Sequence, residues 1–241
     1  MPSENRTKTP SFVALLPLKG HSERVPGKNF RPLAGKPLFR WILETLTSIS
    51  EVRLIVINTD ARRDLAGCGL ESGDRVIIRD RKPELCGDFT SMNLVLADDI
   101  AATGADEYLM THVTNPFLSQ RTIESAMSAY AEARTNDDAD SLFGVTRHQT
   151  RFYRADGRPI NHDPRNLVRT QDLEPWFEEN STLYLFSSQS FAGTQARIGS
   201  RPLLFEIPRL ESVDIDTEDD WRLAEALASG LDRTAAAGDC R

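Results

Sequence analysis

The chain has 241 residues and a formal net charge of -7, with 36 acidic against 29 basic side chains. Hydrophobic residues at 39% suffice for a core and exclude a disordered chain, and at about 150 residues per domain the length fits one large domain, or one carrying a modest insertion. The acidic balance argues against a nucleic-acid partner, and no apolar run approaches the ~20 residues that cross a bilayer.

The polar start, residues 1–11, lacks the hydrophobic core of a signal peptide and reads as a disordered N-terminal arm. Cys68, Cys86 and Cys240 are far apart and odd in number, so neither a disulfide framework nor a zinc site is expected, and reduced thiols in a cytoplasmic protein are the default.

In chain order, Phe12 to Leu16 is a continuous apolar run of the kind a buried parallel strand uses. A polar loop follows, and then helical spacing of Leu38, Ile42 and Leu46 over 37–49. Strands are predicted at 54–57, 76–78 and 108–110, alternating with helices over 62–70, 91–102 and from a Ser119 cap through Tyr130. This alternation predicts a mainly parallel sheet with helices on both faces, which binds ligands at the carboxyl ends of its strands.

Further strands are predicted at 142–145, 182–186 and 203–207. The stretch 146–180 has no long apolar run and reads as an insertion, either packed against another subunit or a long surface excursion. A last helix starts near Thr217, where Thr217-Glu218-Asp219-Asp220 fits a capping box with Asp in the fourth place, and 234–241 reads as a flexible tail after a domain spanning 12–233.

Two segments carry chemistry. The loop Lys19-Gly20-His21-Ser22-Glu23-Arg24-Val25-Pro26-Gly27-Lys28-Asn29 follows the first strand and concentrates Lys, Arg and Gly, the composition of a phosphate cradle. Six residues separate its glycines and Asn29 follows Lys28, so it is not a Walker A loop, and on residues alone it could also be a solvated turn. The second segment is Asp214-Ile215-Asp216. In an extended segment, alternate residues share a face, so both carboxylates point the same way, towards a divalent cation or towards solvent ahead of the last helix. His21, His112, His148 and His162 have no zinc spacing, and only His112 ends a predicted strand.

Lys19 to Leu38, with Ser22 to Asn29 and then Gly35-Lys36-Pro37-Leu38, resembles the signature of the acylneuraminate cytidylyltransferases. Further segments match in order: Arg81 to Asp88 followed by Ser91, Thr114-Asn115-Pro116, Gln171-Asp172-Leu173 with Glu179-Asn180 and Tyr184, and Ser212 to Thr217. The resemblance spans about residues 12–229. Lys19 stands where the family has Arg, His112 where it has Gln, Thr170 where it has Arg and Ser181 where it has Gly.

The resemblance implies a Rossmann-like α/β fold of the nucleotide-diphospho-sugar transferases, with the insertion as a small dimerisation region of a homodimer. It implies CTP phosphates on Lys19, Ser22, Lys28 and Asn29, and cytidine and ribose near Arg81 and Ser91. It places Mg2+ on Asp214 and Asp216, and the sugar near Gln171, Asn180 and Tyr184. His112, by its place at the carboxyl end of a predicted strand rather than by the resemblance, reads either as a further ligand contact or as a structural histidine. The implied reaction joins CTP and a nonulosonic acid to give a CMP-sugar and pyrophosphate, with Lys19, Lys28 and Asp216 as the catalytic set. A CMP-Kdo synthetase or another sugar nucleotidyltransferase is the alternative within the fold, and a non-catalytic nucleotide-sugar binding module the alternative outside enzymes.

Overall fold

The structure, a computed structural model, describes residues 11–238, with side chains through Gly230. The expected arm over 1–11 therefore lies almost wholly outside the described residues.

Strand β1 (Phe12–Leu15) is buried along its whole length. Its alternate residues feed opposite faces: Phe12, Ala14 and Leu16 join one hydrophobic cluster, Val13 and Leu15 the other. The loop after it leads to a short hairpin, β2 (Pro32–Leu33) and β3 (Lys36–Pro37), and then to helix α1 (Leu38–Ser48). Next come β4 (Val52–Thr59), α2 (Arg62–Gly67), β5 (Val76–Asp80), α3 (Met92–Thr103), β6 (Glu107–Thr111) and α4 (Gln120–Thr135). The expected Ser119 cap is present, its Oγ accepting from the Thr122 N–H at 3.2 Å. The second half runs β7 (Ser141–His148), β8 (Trp176–Ser187), α5 (Ser188–Thr194), β9 (Pro202–Glu206) and α6 (Glu218–Gly238).

The main sheet has seven strands in the order β5-β4-β1-β6-β8-β7-β9. Only β8 runs against its neighbours: it pairs antiparallel with β6 (Met110 opposite Tyr184) and with β7, whereas the other pairings are parallel. Buried residues of α1, α4 and α6 (Ile42, Ile123, Trp221) pack on one face, and Leu96 of α3 and Phe191 of α5 on the other. This is the doubly covered, mainly parallel α/β sheet that the alternation predicts.

Four departures from the sequence reading have physical causes. Strand β8 begins at Trp176, not Thr182. Its first half pairs with the end of β7 as a projecting two-stranded arm (His148 opposite Trp176), so it shows no buried alternation. Both ends of the stretch read as an insertion over 146–180 thus belong to the sheet. The α5 helix is too short, and the β2–β3 hairpin too small, to leave a periodic pattern. Finally, α6 continues to Gly238 where a tail was expected from Thr234, in keeping with the helix preference of Ala235-Ala236-Ala237.

The hairpin turn carries strain. Both of its central residues have positive φ, 46° at Ala34 and 85° at Gly35, the requirement of a type I′ turn. Glycine meets that requirement freely and alanine does not. Ala34→Gly is expected to stabilise the fold by about 0.5–1 kcal/mol, read as an increase in Tm of a few degrees. An unchanged or lower Tm would show the turn to be relaxed as it stands.

Candidate active site

The loop after β1 is held in place by buried anchors rather than left as a solvated turn. Val25 is fully buried, Gly20 donates its N–H to Asp60 Oδ1 at 2.7 Å, and Asn29 Nδ2 donates to the Lys19 carbonyl at 2.8 Å. Gly20 is required there, because a Cβ would come within 2.9 Å of the Ala61 side chain. Gly27, at φ 64°, reverses the chain. Ser22, Lys28 and Asn29 are consequently buried polar residues at a ligand edge.

The aspartate segment is fixed from two sides. The Ile215 N–H donates to the Thr114 carbonyl at 3.0 Å, which docks the segment on the loop after β6. On the α6 side the capping box is present: Thr217 N–H donates to Asp220 Oδ2 at 2.8 Å, and Asp220 N–H returns to Thr217 Oγ1 at 3.3 Å. Asp220 Oδ2 also accepts from the Asp216 N–H at 3.2 Å, so the cap orients the neighbouring carboxylate.

Lys28 joins the two halves. Its buried ammonium donates to the Ile215 carbonyl at 2.5 Å and to Asp216 Oδ1 at 3.0 Å, and Arg24 Nη2 reaches Asp216 Oδ2 at 2.8 Å. Asp214 differs from Asp216: its Oδ1 is buried and unpartnered, and burial pushes its carboxyl above the ordinary carboxylate range, with Asp216 adding to the rise. A buried carboxylate oxygen without a donor calls for a cation. Magnesium, which takes one or two carboxylates plus phosphate oxygens, suits such a pair. No third His, Cys, Asp or Glu joins the two among the described residues.

These groups line a cleft of about 360 Å³ at the carboxyl ends of β1 and β6. It contains Lys19, Ser22, Lys28, Asn29, Arg81, His112, Asp214 and Asp216 of the expected residues. Lys19 pairs with Asp88 at 2.6 Å, and that pairing holds the Asp88 carboxyl below its usual range. Arg81 is aimed by the Asn58 side chain and carbonyl, both at 2.9 Å. Asn58 in turn donates to buried Asp99 at 2.8 Å, and Asp99 pairs with Arg79. Burial raises the Asp99 carboxyl to about 6.

Four expected residues do not line the cleft. Ser91 stands at the start of α3, and its neighbour Met92 forms the wall instead. Gln171 is exposed on a short turn of the excursion, its carbonyl accepting from Gln149 at 2.9 Å, because the excursion folds on itself and away from the cleft. Asn180 lines an adjoining cavity of about 490 Å³, and Tyr184 is fully buried beneath the wall. Ser181, where the family pattern has Gly, adopts φ 55°, the backbone region that accounts for glycine in that pattern.

Sequence reasoning missed Arg197, Arg24 and Thr114. Arg24 lies inside the quoted motif, but its contact with Asp216, 192 positions away, has no sequence signal. Arg197, on the loop between α5 and β9, belongs to no motif.

His112 is neutral: burial, reinforced by the charge of Arg197, lowers its pKa to about 3. Below pH ~6.5 the unfolded chain therefore takes up a proton that the native imidazole refuses, so stability falls with pH from there towards pH 3. His112→Gln is expected to remove about 1–2 kcal/mol of the wild type's loss between pH 7 and pH 5. Urea midpoints at the two pH values measure this, and equal losses in both proteins would contradict it.

A family model described as "Cytidylyltransferase" matches residues 13–218. The chain is similar to N-acylneuraminate cytidylyltransferase A of Danio rerio, 27% identical over 231 residues, covering 92% of this chain and 52% of that protein. The chain thus spans about half the length of this relative. It is also similar to CMP-N,N'-diacetyllegionaminic acid synthase of Legionella pneumophila, 27% identical, covering 90% of this chain and 95% of the relative. Among solved structures, a CMP:2-keto-3-deoxy-manno-octonic acid synthetase complexed with CTP superposes with a TM-score of 0.62 at 16% identity, covering 92% of this chain and 99% of that one, a likeness of fold.

Proposed function

Because the chain belongs to the cytidylyltransferase family, we propose that it transfers the cytidylyl group of CTP to the anomeric hydroxyl of a nonulosonic acid, releasing pyrophosphate. The observation that carries the reading is the Lys28–Asp216 pair at 3.0 Å, which brings the first loop and the aspartate segment into one cleft beside the unpartnered Asp214 oxygen. Cations and a carboxylate pair side by side suit a triphosphate and its metal. Relatives named for acylneuraminate, legionaminic and pseudaminic acids support the sugar class.

In this reading the acceptor oxygen attacks the α-phosphorus, the bond to the β-phosphate oxygen breaks, and the acceptor proton passes to solvent. Positioning and charge neutralisation supply most of the acceleration. Lys28 and Lys19 bind the departing pyrophosphate, Ser22 and Asn29 orient the phosphates, and Arg81 meets the cytidine side. Magnesium held by Asp214 and Asp216 would act as a Lewis acid, lowering the pKa of the acceptor hydroxyl. Asp220 holds the Asp216 backbone in the required orientation.

The same reading includes a cytoplasmic homodimer, joined through the β7–β8 arm with its half-exposed Trp176 and Phe177. Light scattering tests that part. No helix among the described residues is long and apolar enough to cross a membrane. For the activity, pyrophosphate release is measured with CTP, magnesium and a panel of nonulosonic acids, with Kdo as comparator. Turnover of Kdo alone would redirect the substrate, and no release with any sugar would overturn the activity.

A further inference from the structure

The carboxyl-end rim follows the strand order. Arg81 comes after β5, Lys19 and Lys28 after β1, His112 after β6, and Arg197 lies against β8 beyond it. Base, phosphates and reacting centre are thus laid out from one side of the sheet to the other. In-line displacement puts the departing pyrophosphate and the incoming hydroxyl on opposite sides of the α-phosphorus. With the pyrophosphate cations at β1, the acceptor enters from the β6–β8 side, where Arg197 is the cation lining the cleft.

Arg197 is prepared for an anion. Its guanidinium lies flat over the Tyr184 ring, 3.8 Å from the centroid, and its side chain is 18% exposed. Nη1 donates to His112 Nε2 at 3.3 Å and touches Met110 Sδ at 3.8 Å; Nη2 donates to Glu179 Oε1 at 3.2 Å. Tyr184 OH donates to the same Glu179 oxygen. The imidazole and the ring fix the plane of the fork without neutralising it. Glu179 is a long, 42%-exposed contact that a substrate carboxylate can displace. The remaining cleft cations lie on the β5 and β1 side of the rim, where the proposed reading gives Arg81 the cytidine and Lys19 and Lys28 the phosphates.

We infer that Arg197 is the specificity-determining residue that binds the carboxylate of the acceptor sugar and so selects acidic keto-sugars over neutral ones. This rests on the proposed cytidylyl transfer and adds the group that reads the acceptor. A planar guanidinium matches a carboxylate with two parallel hydrogen bonds, which an ammonium or a neutral side chain does not.

The test compares wild type, Arg197→Met and Arg197→Lys by pyrophosphate release, using a nonulosonic acid and its methyl ester. Arg197→Met is expected to raise the KM for the acid by about 10- to 100-fold, with the KM for CTP within about twofold. It is also expected to lose the wild type's preference for acid over ester. Arg197→Lys, which keeps the charge, should fall between, and remains informative if the Met variant fails to fold. A variant that keeps the acid-over-ester preference, or that loses CTP affinity as strongly as sugar affinity, overturns the assignment and leaves the activity standing. A wild type inert towards every nonulosonic acid overturns the activity and the assignment together.

Discussion

Replacing Asp216 with asparagine is expected to lower kcat by about 10²–10³-fold or more while leaving the protein folded. The carboxylate meets Lys28 at 3.0 Å and Arg24 at 2.8 Å, and shares its segment with the unpartnered Asp214 oxygen. Asparagine retains an oxygen for Lys28 but removes the charge that balances two cations and would hold a third. Alanine would instead strip the buried ammonium of its acidic partner, confounding catalysis with stability. Steady-state turnover gives the primary reading. Magnesium affinity by calorimetry gives one that does not depend on activity, and should weaken in both Asp216→Asn and Asp214→Asn. More than about a tenth of wild-type kcat in the Asp216 variant would remove this residue from the reacting centre.

The second large effect is at Lys28. Lys28→Met keeps the aliphatic stem, whose packing leaves the residue 8% exposed, and deletes the ammonium between the first loop and Asp216. We expect kcat/KM for CTP to fall about 100-fold or more, because the phosphates lose a buried cation that no mobile surface lysine replaces. Lys19, exposed and paired with Asp88, is expected to compensate little. The KM for the sugar should hardly move. Kinetics varied against each substrate separate the two, and an effect confined to the sugar would place Lys28 outside the triphosphate site.

Much of this layout is legible in the sequence. The runs at Phe12 and Leu54 are strands because parallel strands covered on both faces need continuous apolar residues. Lys28, Asn29 and the Asp214–Asp216 pair sit in ordered motifs, and the strand–helix alternation brings such loops to one edge. Other features leave no local trace. The exposed first half of β8 is stabilised by pairing with β7, a partner some thirty residues earlier in the chain, so it lacks a buried face. Gln171 carries a motif yet lies on the excursion's exposed surface, since a motif records a residue type and not its reach. Arg197 is the opposite case, placed in the cleft by the turn after a helix too short to announce itself.

The single reversed strand has a further consequence. Parallel strands present their ends at the ligand edge, whereas β8 presents its beginning there. The chain therefore leaves the sheet from the end of β7 and re-enters through the start of β8 on the same rim, carried beyond it by the two-stranded arm. No residue between 149 and 175 belongs to either hydrophobic cluster, so the excursion at the tip of that arm can be lengthened or rebuilt without removing a core side chain. The reversed strand thus lets this chain carry a hairpin extension on the ligand rim that the two faces of the sheet do not use in their packing.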